Sequence, residues 1–153
     1  MLALLLAPAL LQGVVMLLDE GVYHRRRGLP RWERIGHPLD TLTVIACYLW
    51  LLATRPEQPW ALPGFVALAA FSCVFVTKDE PVHARVCSAG EQWLHALLFL
   101  LHPVVFACAW MVRARGLGDW ALALQLGLLA LFAAYQFFYW RSSWSRHPSR
   151  SAW

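Results

Sequence analysis

Residues 19–37 read DEGVYHRRRGLPRWERIGH, and residues 79–95 read DEPVHARVCSAGEQWLH. The two stretches start sixty positions apart and carry acids and histidines in one order: Asp19, Glu20, His24, Glu33, His37, then Asp79, Glu80, His83, Glu91, His95. With Asp40 and His102 just beyond them, they account for seven of nine acidic residues and five of six histidines. The chain is 59% hydrophobic, with mean hydropathy +0.50. Such clustering in so apolar a chain marks a site, because ionisable residues near a membrane interior are expensive and functional by default.

Outward from these stretches lie five apolar blocks: Leu2–Leu18, Leu39–Ala53, Ala61–Thr77, Leu94–Val112 and Trp120–Tyr139. A hydrocarbon core about 30 Å thick takes roughly 20 helical residues. The second block is short, but its helix can extend into the polar residues before it. The predicted fold class is therefore an all-α integral membrane protein with five transmembrane helices, a single membrane domain over 1–153. No Lys or Arg precedes the first block, so it reads as a retained helix and not as a signal peptide.

The repeated order predicts a duplication, with copies at 1–54 and 61–113. Each copy is a two-helix hairpin, and together they make a four-helix bundle related by a pseudo-twofold along the membrane normal. Residues 114–140 add one helix, and 141–153 form a basic tail. The gaps between Asp-Glu, His, Glu and His are three, eight and three residues in the first copy and two, seven and three in the second. Pro30 suits the first turn of a helix, and Ser88-Ala89-Gly90-Glu91 reads as a capping box. Glu33 with His37, and Glu91 with His95, sit at i, i+4 on one helix face. So do Glu20 and His24 if the first helix continues, while Glu80 and His83 sit at i, i+3 unless Pro81 ends the third. His37-Pro38 and His102-Pro103 are expected to mark kinks.

The net charge of +4 reflects topology, and no nucleic-acid partner is expected. Ten basic residues flank one side of the blocks, and only Arg55, Arg113 and Arg115 flank the other. The positive-inside rule then puts the N-terminus outside and the C-terminus and both clusters in the cytoplasm, as for a bacterial inner-membrane protein. The tail is expected to rest on anionic headgroups. Tyr135, Tyr139 and Trp140, and Trp60 and Trp120 opposite, read as interfacial aromatic belts. Four cysteines without a C-x-x-C pair predict no disulfide.

Carboxylates and imidazoles together are ligands for iron, manganese or zinc. Two single carboxylates, Glu20 and Glu80, and two pairs, Glu33/His37 and Glu91/His95, reproduce the ligand logic of di-iron and di-manganese carboxylate bundles. The spacing differs, Glu-x-x-x-His in place of Glu-x-x-His, and the histidine-rich boxes of membrane hydroxylases are absent. His24 and His83 complete the set, with Asp19, Asp40, Asp79 and His102 as a second tier. Taken singly, each residue has a bland role: first-turn acids favoured by the helix dipole, ion pairs with arginine, satisfied core histidines. Four acid–histidine pairs in register are not explained that way.

The expected function is a membrane-embedded non-haem dinuclear metal oxidoreductase, di-iron-like, acting on a lipid-soluble substrate. The cofactor is two metal ions, iron favoured, with zinc or manganese behind it. Alternatives are a metal or ion transporter with a carboxylate-lined path, or a non-catalytic subunit of a membrane complex. Haem between facing histidines leaves the carboxylates unused. The bilayer, a lipid-soluble substrate, and a membrane protein partner or second copy are the expected partners.

Overall fold

A computed structural model describes residues 1–146, with side chains as far as Ser142. Over those residues the chain is five long helices with no strand. Helix α1 runs Leu2–Arg27, α2 Arg31–Ala53, α3 Ala61–Val86 and α4 Ala89–Ala114, and α5 runs Asp119–Arg146. All five are long and apolar enough to cross a membrane. The shortest has 23 residues, about 35 Å at 1.5 Å per residue. The second block extends as expected, from Leu39 back to Arg31. Of the predicted basic tail, residues 147–153, with His147 and Arg150, lie outside the described residues.

The apolar blocks are hydrophobic all round, as membrane spans are. Leu4, Leu10, Val74, Leu100 and Leu131 are each at least 70% exposed and face outward. Helix association in lipid relies on close packing and interhelical hydrogen bonds, about 0.6 kcal/mol each on average. Here α1 packs on α4, α2 on α3, and α5 along α2. Thr43 and Ser72 join α2 to α3 at 2.7 Å, and Thr41 donates to Gln136 of α5 at 2.8 Å. Helix α5 also reaches α1, where Arg25 donates to Tyr135 at 3.3 Å.

The two ends of the bundle differ. Away from the clusters lies a dry core of Cys47, Tyr48, Leu51, Phe65, Phe106 and Val112. Arg113, in the last turn of α4, closes that end by donating to the Leu51 and Thr54 carbonyls at 2.8 and 2.6 Å. These are the last carbonyls of α2, which have no helical partner of their own. At the other end α1 turns into α2 at Gly28, whose φ of 76° suits a residue without Cβ. The helices run unbroken through Pro38 and Pro103. All four cysteines are free.

Candidate metal centre

Local winding sets which side chains point inward. Asp19–His24 is a π-helical turn within α1. A π turn closes i→i+5 bonds, so each residue advances less than the 100° of an α-helix. Asp19, Glu20 and His24 thereby come to one face, 6%, 4% and 0% exposed. The corresponding stretch of α3 winds oppositely. Val76–Asp79 is a 3₁₀ turn, tighter than α, and Glu80–Val86 follows with Pro81 in its first turn. The extra residue between Glu20 and His24 is absorbed by the wide turn, so His24 and His83 both reach the interior. The same winding buries Asp79 and leaves the Glu80 side chain 47% exposed, 3.8 Å from His83.

Four histidines, one from each of α1 to α4, form a closed group. Ring centroids are 4.6 Å apart for His24 and His37, 4.1 Å for His83 and His95, 6.1 Å for His24 and His95, and 6.5 Å for His37 and His83. Carboxylates fill the spaces between rings. Asp19 lies 3.3 Å from His24 and 3.2 Å from His95. Glu20 lies 3.4 Å from His24 and 3.7 Å from His37. Glu91 is 3.6 Å from His24, and Glu33 is 3.7 Å from His83. Of the expected ligands, the structure brings together all but Glu80, and it adds Asp19 from the second tier.

Most of these separations are long for hydrogen bonds, which centre near 2.9 Å. They match the edge of a coordination polyhedron: ligands about 2.1 Å from a tetrahedral ion lie about 3.4 Å from one another. Both His83 nitrogens, His24 Nε2, His95 Nδ1 and Asp19 Oδ1 are buried without a hydrogen-bond partner. Buried polar atoms are ordinarily paired. The donor atoms of Asp19, His24, Glu91 and His95 lie within 4.8 Å of one another, as do those of Glu20, His24 and His37, and of Glu33, His37 and His83. The residues fit a bound metal ion. No known protein family, curated protein or solved structure matches the chain.

Three supporting residues have no signature in the sequence. Arg27 donates to Glu33 at 2.8 Å and to Glu91 at 2.9 Å, covering the cluster from the loop side. Three consecutive arginines gave no signal as to which one turns inward. Lys78 holds Asp40 at 2.6 Å and Asp79 at 2.9 Å, and α2 approaches it so closely that a Cβ on Gly36 would meet the Lys78 chain at 2.9 Å. Trp140 is no interfacial belt residue: it is 4% exposed, and its indole N–H donates to Glu20. The capping box is half formed. Ser88 accepts from the Glu91 N–H at 3.3 Å, while the Glu91 carboxylate goes to Arg27.

Cys87 offers a further ligand atom beside His83 and His95, though burial pushes its thiol up to about 12. His102 stands apart, bonded to Gln12 and Ser72 at 3.0 Å each. Between it and the cluster lies a cavity of about 130 Å³. Asp19, Glu20, His37, His83 and His95 line one part and mainly apolar side chains the rest. Chemically, the arrangement can hold cations in a buried cluster and present them to a small molecule in the adjoining cavity.

Proposed function

We propose that this chain is a membrane-embedded non-haem dinuclear metal oxidoreductase acting on a lipid-soluble substrate. The observation that carries the reading is the balance of charge. Asp19, Glu20, Glu33, Asp79 and Glu91 are buried, and the Asp40 side chain is only 20% exposed. Among the described residues, Arg27 and Lys78 form ion pairs with this group. Those two pairs leave four of its six negative charges over. Buried charge is sustained only when compensated, and two divalent ions match the excess. Protonating all four histidines would match it too, but would crowd like charges around the 4.1 and 4.6 Å ring contacts, which is costly.

Asp19, His24, Glu91 and His95 would hold one ion, and Glu33, His37 and His83 the other, with Glu20 shared between His24 and His37. Two ions held there, iron first among the candidates or manganese, would supply oxygen binding and redox capacity, whereas zinc, which has no redox chemistry, would supply only a Lewis acid. The protein does the rest. Arg27 fixes Glu33 and Glu91, and Trp140 fixes Glu20. Haem is disfavoured, since histidine ligation of its iron would leave the buried carboxylates without cations.

The reading includes a duplicated hairpin, 1–54 and 61–113. In its support, α1 on α4 mirrors α3 on α2. The 4.6 and 4.1 Å ring contacts are equivalent under the pseudo-twofold, as are those at 6.1 and 6.5 Å. It also places the N-terminus outside and the C-terminus in the cytoplasm of a bacterial inner membrane, on the ten-to-three bias of basic residues. A membrane partner or second copy would pass electrons to the site. Metal analysis of the purified protein, with an optical spectrum, tests the function. Two non-haem metals per chain are expected. A sharp Soret band, or no metal at all, overturns it.

A further inference from the structure

The cavity ends, away from the cluster, on a hydrogen-bond chain whose polarity can be read from one fixed point. Thr43 donates its hydroxyl to the Asp40 carbonyl at 2.7 Å. Its oxygen must therefore accept from Ser72, 2.7 Å away. Ser72, having spent its proton, must accept from His102 Nε2 at 3.0 Å. A neutral imidazole protonated at Nε2 has a lone pair at Nδ1, so His102 Nδ1 accepts from the Gln12 amide at 3.0 Å. That fixes the amide: its NH₂ faces His102, and Oε1 is left buried without a partner. Gln12 lines the cavity. What the protein lacks here is one hydrogen-bond donor.

Size and walls narrow the ligand. Met16, Val44, Leu98, Phe99, Leu129 and Phe132 supply apolar lining. An apolar cavity of about 150 Å³ takes a benzene molecule, and this one has about 130 Å³. We propose that the cavity binds a small neutral molecule close to benzene in size, with an apolar body and one hydroxyl that donates to Gln12 Oε1: a ligand of the phenol class. This names the substrate class of the oxidative site and rests on that reading for turnover, while binding is tested without turnover.

The test uses the full chain in phosphatidylcholine nanodiscs, titrated with 4-fluorophenol and with its near-isostere 4-fluorotoluene, and followed by fluorine NMR. Metal content is measured on the same preparation. Saturable binding is expected, with the phenol about tenfold tighter after correction for partition into lipid, the worth of one hydrogen bond. Gln12→Met should abolish that preference with metal content unchanged, and Val44→Phe should block both ligands by filling the space. Equal affinities in the unaltered protein, no saturable binding, or a preference that survives Gln12→Met overturn the inference. A poorly folding variant leaves the comparison in the unaltered chain decisive. Full metal without discrimination sinks this inference alone; discrimination without metal sinks the oxidative reading alone.

Discussion

Replacing His95 with alanine should remove the metal-induced part of the protein's thermal stability while the bundle still folds. His95 is 5% exposed, 3.2 Å from Asp19 and 4.1 Å from the His83 ring. Removing even an outer partner of a metal ligand costs about 10–100-fold in affinity, so loss of a direct ligand should cost about 100-fold or more. With free metal at about 100 times the dissociation constant, binding stabilises the unaltered protein by about 2.7 kcal/mol. At 100-fold weaker affinity the same concentration gives about 0.4 kcal/mol. The difference, about 2.3 kcal/mol, corresponds to a metal-induced Tm shift smaller by about 5–9 °C for a chain of this length. The void left by the ring lowers Tm with and without metal, so it largely cancels from the difference. Thermal unfolding in detergent, with metal and with chelator, reads the shift, and elemental analysis reads stoichiometry. His37→Ala should behave alike. His102→Ala should lower Tm through its lost bonds to Gln12 and Ser72 yet keep the full metal shift. If His95→Ala and His37→Ala retain full metal and the full shift, the cluster is an ion-pair network and the metal reading is wrong.

Arg27→Gln should destabilise the metal-free protein by about 3 kcal/mol, the cost of leaving paired buried carboxylates without their cation. Added divalent metal should narrow the gap, and an unchanged metal-free Tm would count against the charge balance. Glu20→Gln should lower metal content, whereas Glu80→Gln, on an exposed side chain, should leave it within error. Equal losses from the two would mean that Glu80 turns inward when metal binds. A C-terminal alkaline phosphatase fusion should stay inactive and a fluorescent-protein fusion should glow. The reverse pattern would move both clusters to the outer face.

The sequence alone determined the number of helices and marked most of the acids and histidines that the structure gathers into one cluster. Five apolar blocks of near-spanning length admit little but five membrane helices, because in lipid a helix satisfies its own backbone. Acids and histidines stranded at block ends are costly there unpaired, and all of the expected ligands but Glu80 meet. Facing directions were another matter, because they depend on winding and contact. A π turn in α1 and a 3₁₀ turn in α3 bury Asp19, Glu20 and Asp79 and expose Glu80, and one-letter spacing shows neither. Trp140 lies 120 residues from Glu20, and Arg27 reaches Glu91 across 64. No local pattern encodes such pairs: which arginine of three turns inward, and which tryptophan leaves the lipid, is fixed only when α5 packs along α2 and α1 along α4.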